Sequence, residues 1–268
     1  MDTEASNVVR VGIPAIGLLV AGLFVWAVAW ATRPRPVAGG EESAAPRRVM
    51  PVAWAALGTA AWLALTGIAA ASGLLARIEL RPPPFMLLLV ATVVLGVTLG
   101  VSRVGRIIAA AVPLWALVLA QGFRLPLELV MHRAALDGVM AHQLSFGFFG
   151  ATPGPGLNYD IVTGAGAIIV GLLLRAGRAP RGLVVAWNAI GFVCLAGIAG
   201  IAVATSPFVV AFGPDSVNWW VAAFPFVWLP AACVAFAIGG QIVVLRKASA
   251  KIGRQLSRVS TINRTPAG

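Results

Sequence analysis

Long runs of apolar residues, separated by short polar segments, recur along the whole chain. Each run is long enough, or nearly so, for the roughly 20 residues that a membrane-spanning helix needs. This pattern predicts an all-α, polytopic membrane helix bundle that forms a single domain over residues 1–268. The seven predicted helices lie at about 11–32, 51–76, 84–101, 107–131, 158–174, 183–205 and 219–245.

The composition agrees with a membrane protein and excludes a soluble one. Only 11% of the residues are charged and 59% are hydrophobic, whereas a soluble domain carries about 25% charged residues. The formal net charge of +11 could suggest nucleic acid, but the basic residues cluster in the loops between the apolar runs. Loop Lys and Arg set the orientation of membrane proteins. We therefore expect contact with a lipid bilayer and no binding of nucleic acid.

The distribution of these basic residues predicts the orientation. If the N-terminus is outside, 15 of the 20 Lys and Arg residues fall on the inner side, as the positive-inside rule requires. The C-terminus is then cytoplasmic, with a basic tail at 246–268. The two cysteines, Cys194 and Cys233, lie inside apolar runs and form no disulfide framework.

The end of the fourth apolar run carries the densest cluster of polar residues near any apolar segment. Gln121, Arg124, Glu128 and His132 are three, four and four residues apart, so a helix places them on one face. Counted from Arg106, Arg124 lies roughly 27 Å and Glu128 roughly 33 Å along the helix, which predicts a position near the outer boundary. Either Arg124 snorkels and pairs with Glu128 at the interface, or these residues line an outward-facing polar pocket.

Asn158 and Asp160 open the predicted fifth helix. As structural residues they would cap this helix and complement its dipole. As functional residues they would face Arg124 and Glu128, because the fourth helix ends where the fifth begins. Two carboxylates around one arginine carry a net charge of −1, which could receive a cation, a proton or an amine, or serve as an acid/base pair. The candidate ligand-binding residues are Arg124, Glu128, Asp160, Gln121, His132 and Asn158.

The segment 136–157 joins these two helices and is rich in Gly and Pro, yet it keeps Phe146, Phe148 and Phe149. It should either fold back over the helices as a cap or form an interfacial aromatic belt.

The chain offers few metal ligands. Glu128, His132 and His142 could supply three, but two ligands four residues apart are common by chance. We expect no metal site, and the sequence does not identify a cofactor.

Several rare membrane residues occur in a recognisable order. Gln121-x-Phe-Arg124-x-Pro126-x-Glu128 is followed by Asn158-x-Asp160 and then by Phe224-Pro225-Phe-Val-Trp228-Leu-Pro230. This order, over about 121–235, resembles a widespread family of uncharacterised bacterial multi-pass membrane proteins. The resemblance implies a bacterial inner-membrane location and no particular activity. Independently of it, Pro225 and Pro230 should bend the seventh helix around the outer face.

The sequence favours an integral membrane protein that binds, and could transport, a small or lipid-phase molecule in an outward-facing polar pocket. Two alternatives remain open. One is a membrane-embedded enzyme that uses Glu128 and Asp160 as acid and base, and the other is a non-catalytic partner or scaffold subunit. A polar cluster open to a cavity would favour binding or catalysis, whereas a sealed and paired cluster would favour a scaffold. Association as a homo-oligomer or with a membrane partner is equally open.

Overall fold

The computed structural model describes residues 5–33, 49–147 and 156–262. Within these ranges the chain is helical and contains no β-strand. The α-helices are α1 (Asn7–Ala31), α2 (Val49–Ala71), α3 (Pro84–Val101), α4 (Arg103–Ala111), α5 (Leu114–Ala120), α6 (Arg124–Leu136), α7 (Asp160–Arg175), α8 (Arg181–Ala204) and α9 (Ala235–Ile262).

Six helical segments in the described ranges are long and apolar enough to cross a membrane, as a multi-pass membrane protein requires. They are Asn7–Ala31, Met50–Ala71, Pro84–Val101, Leu114–Leu136, Arg181–Ala204 and Leu229–Ala250. The predicted fifth span does form a helix, α7, but its 16 residues fall short of the roughly 20 that span a bilayer. The count of seven spans and the orientation therefore stay predictions.

The prediction of a single helix at 107–131 is wrong. Helix α4 ends at Ala111, Val112 is extended, and Pro113 stands before the first residue of α5. Proline lacks an N–H and forces the preceding residue out of the helical conformation. The crossing segment is therefore Leu114–Leu136, and Arg124 is the eleventh of its 23 residues. Arg124 thus lies near the middle of this segment, not at its outer boundary.

The predicted seventh helix, 219–245, also begins later than expected. A short 3₁₀ turn forms at Trp220–Ala222, and a π-helical segment at Leu229–Val234 leads into α9. Pro225 lies in the turns before this segment and Pro230 lies in its first turn. Beyond the apolar part, α9 continues helically to Ile262, into the residues expected to form the tail.

Helices α6 and α7 pack antiparallel and very closely. A Cβ atom added to Gly164 would overlap the backbone nitrogen of Leu125 in α6, and one added to Gly171 would overlap the side chain of Leu119 in the preceding helix, α5. This pairing places the start of α7 level with Glu128. Helix α6 runs on for eight residues beyond Glu128, about 12 Å. Asp160 therefore begins α7 in the interior of the bundle.

Candidate functional site

Arg124 forms an ion pair with Asp160 inside the bundle. Arg124 Nη1 lies 3.0 Å from Asp160 Oδ1, and the two residues are only 1% and 4% exposed. The arginine is therefore enclosed by protein, which does not fit the snorkelling interpretation. Its direct partner is Asp160, one of the two carboxylates that the sequence placed around this arginine, and not Glu128.

The Glu128 carboxylate instead accepts a hydrogen bond from Asn158, whose Nδ2 lies 2.6 Å from Glu128 Oε2. The same amide group donates to the carbonyl of Leu144, while Asn158 Oδ1 accepts from the N–H of Asp160. The N–H of Asn158 donates to the carbonyl of Ser145. The Asn158 side chain thus accepts the N–H of the first residue of α7 and also ties this helix to α6 and to the segment before it.

Two further amides belong to this cluster, although neither is among the candidate site residues predicted from the sequence. Gln241 of α9 is 0% exposed and Asn188 of α8 is 1% exposed. With the Gln241 amide turned to suit its neighbours, Nε2 donates to Asn188 Oδ1 at 2.5 Å and Oε1 accepts from Arg124 Nη1 at 3.2 Å. Gly191 makes room for this contact, since an added Cβ would overlap the Gln241 amide. The sequence signal that could have identified these two residues is a polar side chain far inside an apolar run.

The cluster is sealed but incompletely paired. Gln121, Arg124 and Glu128 are each 1% exposed. Arg124 Nε and Nη2 and Gln121 Oε1 have no hydrogen-bond partner among the described residues. An unpaired buried polar atom costs about 1–3 kcal/mol, so these atoms are the points at which the cluster would gain most from a ligand or water. No group of three potential metal ligands occurs in the described part of the chain.

An apolar cavity of about 610 Å³ lies beside the cluster, lined by residues of α1, α2, α3, α4, α5 and α9. Its aromatic lining residues are Phe24, Trp26, Trp54, Trp62 and Phe236. Trp54 is 67% exposed, so the cavity reaches the lateral surface of the bundle. Gln121 is the one member of the polar cluster that lines it.

His132 lies apart from the ion pair and contacts the connecting segment. Its Nδ1 is 2.9 Å from Ser145 Oγ, and its ring stacks on Phe146 with the centroids 4.6 Å apart. The described part of the predicted cap therefore packs against α6. Phe148 and Phe149 lie outside the described residues, so a complete cap stays a prediction.

Comparison of the chain with protein-family models, curated proteins and solved structures found no match. The resemblance to a bacterial membrane family stays a prediction.

Proposed function

We propose that this protein binds a small lipid-phase molecule in the apolar cavity beside Gln121. One observation supports this most directly. The cavity of about 610 Å³ is apolar except for a few polar residues, among them Thr32, Thr59 and Gln121. Ligand sites are commonly apolar cavities of about 300–1,000 Å³ with a few placed polar groups. Because the lining includes the exposed Trp54, the ligand enters sideways from the lipid.

This proposal moves the site from an outward-facing polar pocket to the lateral cavity. The apolar lining of the cavity contacts the ligand, whereas Arg124, Glu128, Asn158 and Asp160 hold α6 and α7 in place behind it. His132, the sixth candidate, holds the connecting segment against α6. The protein acts in the inner membrane of a bacterium, in keeping with the resemblance. Binding in the cavity is also the first step that transport would require.

Three tryptophans that line the cavity can report ligand binding through their fluorescence. Bromine quenches tryptophan fluorescence on contact, and Trp26, Trp54 and Trp62 line the cavity. We expect saturable quenching when a dibrominated octadecanol is titrated into the purified protein in nanodiscs of unbrominated lipid. Quenching that rises only linearly with probe would mean general solution in the bilayer and would contradict the proposal.

A matched pair of glycines provides the control. Gly58 lines the cavity and Gly22 does not, and an added Cβ meets no atom within 4 Å at either position. Gly58→Leu should place a side chain in the cavity and weaken saturable quenching. Gly22→Leu makes the same change on another exposed helix surface and should leave quenching as in the wild type.

A scaffold subunit is the second candidate, because the polar cluster is enclosed by the bundle. In that case Gly58→Leu and the wild type would show the same linear quenching, and disruption of the cluster would affect only stability. The acid/base role is less well supported. Glu128 and Asp160 are 1% and 4% exposed, and Asp160 is engaged by Arg124, so a substrate would reach them only after the bundle opened.

A further inference from the structure

We infer that the molecule bound in the cavity is an acidic lipid, whose acyl chain lies along the apolar lining and whose anionic head group contacts Arg103 and Arg106 at one end of the cavity. This inference rests on the proposed function, since it names the chemical class of the molecule bound there.

The cavity extends from the middle of the bundle to one of its ends. Its lining follows the last helical segment from Ala231 to Val243, a rise of roughly 18 Å. Thr32 at the end of α1, Pro51 near the start of α2 and Gly100 near the end of α3 line the far part of the cavity. This depth, together with the apolar lining, suits an extended acyl chain.

Two arginines of α4 border that end of the cavity. Val104 and Ile107 line the cavity, and Arg103 and Arg106 each directly precede one of them. Arg103 and Ile107 are four residues apart, so their side chains are neighbours on the helix surface. Both arginines are exposed and neither belongs to the lining. Their guanidinium groups therefore lie at the rim, where the head group of a lipid held by its chain would emerge.

The two guanidinium groups of α4 have no hydrogen bond, ion pair or ring contact with any described residue. Neighbouring basic residues are engaged in the fold. Arg246 Nη1 donates to the carbonyl of Gly100 at 2.7 Å, and Lys247 Nζ donates to the carbonyl of Ala109 at 2.7 Å. The arginines of α4 thus remain available to an anion from outside the chain.

The charge at this end of the bundle also favours an anion. The described acidic residues lie in the interior or towards the opposite end: Glu79, Glu128, Asp137, Asp160 and Asp215. The lining itself, including its polar threonine, glutamine and tryptophan side chains, carries no charge. An anionic head group therefore gains an attraction at the arginines that a lipid of zero net charge lacks, while the acyl chain contributes equally in both.

The test compares two dibrominated phospholipids with identical acyl chains in the tryptophan-quenching assay. Phosphatidylglycerol carries a net charge of −1, and phosphatidylcholine carries none. In nanodiscs of unbrominated phosphatidylcholine, quenching by the phosphatidylcholine probe should rise in proportion to its mole fraction. Quenching by the phosphatidylglycerol probe should saturate early, with a binding constant relative to phosphatidylcholine of about 25. This value corresponds to about fivefold for each arginine near an anionic head group.

Arg103→Gln and Arg106→Gln should each lower that relative binding constant about fivefold. Arg178→Gln is the matched control. Arg178 is exposed in the segment between α7 and α8, and neither helix lines the cavity. It lies near the same end of the bundle, because Arg175 at the end of α7 packs over Trp115 at the start of α5. Arg178→Gln should leave the constant as in the wild type. An equal loss in all three variants would mean a general surface potential and would overturn the inference.

Gly58→Leu tests whether the bound chain lies in the cavity, and it should weaken quenching by the phosphatidylglycerol probe. Wild-type quenching in this variant would place the lipid outside the cavity and overturn the inference. A relative binding constant near 1 in the wild type would also overturn it, but saturable quenching by octadecanol would then leave the lipid-phase site in place. Linear quenching by both phospholipids and by octadecanol would refute the proposed function itself.

Discussion

Arg124 Nη1 and Asp160 Oδ1 lie 3.0 Å apart, although 36 residues separate them in the chain. The contact joins the middle of one membrane-length segment to the first residue of α7. Both residues are nearly inaccessible, so the pair is shielded from water and salt. Charges in such a setting interact strongly and are costly to separate.

Breaking this pair should strongly destabilise the protein. Removing one partner of a buried ion pair typically costs about 3–5 kcal/mol, because the other charge is left unpaired. Asp160→Asn and Arg124→Ala should therefore each lower the free energy of unfolding by about this amount, measured by denaturant titration in detergent. Asp215 is exposed, so Asp215→Asn is the control and should change it by less than about 0.5 kcal/mol. Wild-type stability in Asp160→Asn would show that the pair does not form.

Replacing Asn158 tests the junction between α6, α7 and the preceding segment. Its side chain makes hydrogen bonds to Glu128, Leu144 and Asp160. Asn158→Ala should cost about 1–3 kcal/mol through unpaired buried groups. Asn158→Asp should cost more, because it places a second carboxylate against that of Glu128. Asn7 is exposed at the start of α1, so Asn7→Asp serves as the control and should be tolerated. Greater stability of Asn158→Asp than of Asn158→Ala would contradict this arrangement.

Helix α8 supplies a matched test of the Gln241 contact. An added Cβ at Gly191 would overlap the Gln241 amide, whereas one at Gly197 meets nothing within 4 Å. Gly191→Ala should therefore destabilise the protein, since overpacking a buried site costs about 1–3 kcal/mol. Gly197→Ala should be neutral or slightly stabilising, as expected for Ala over Gly in a helix. The measurement compares the midpoints of thermal unfolding of the two variants in the same detergent. Equal midpoints would argue against a buried Gln241–Asn188 contact.

Asp137 should make the start of α1 sensitive to acid. Partial burial favours its neutral form, but hydrogen bonding from Ser6 and the charge of Arg133 outweigh this and hold the pKa of Asp137 below its ordinary value. A lowered folded-state pKa gives stability that is fully present above the unfolded value, near about 3.9, and is lost as the pH falls through the folded value. The hydrogen-exchange protection of the first turn of α1, corrected for the intrinsic pH dependence of exchange, should therefore fall at that low pH. In Asp137→Asn this acid-dependent step should disappear; a step of unchanged size would exclude Asp137 as its cause.

The sequence located the apolar segments and the candidate residues, because hydrophobic run length and the spacing of polar residues are local properties. It placed Asp160 opposite Arg124 and Glu128, but it did not distinguish which carboxylate pairs directly with the arginine. Because Pro113 precedes the crossing segment, that segment starts later than predicted, and Arg124 lies nearer its middle. Its direct partner there is Asp160 and not Glu128. From the sequence alone Asp160→Asn would be the milder change, since Asn can still cap a helix, and the structure reverses that expectation.

The lateral cavity and the contact between Gln241 and Asn188 depend on packing between helices distant in sequence. Their residues are ordinary ones within apolar runs, and only the assembled bundle brings them together. The amide of Gln121 was expected to face an outward polar pocket, because its position on the helix face was known but its neighbours on α9 were not.

The close approach at Gly164 also bears on how the protein moves. With no side chain separating α6 from α7 at that point, sliding or spreading these two helices would bring backbone atoms into collision or break the ion pair. We expect α6 and α7 to shift as a single body. Any widening of the cavity then requires movement of α2. The residues of this helix are exposed along much of its length, so it can swing outward without disturbing a buried charge.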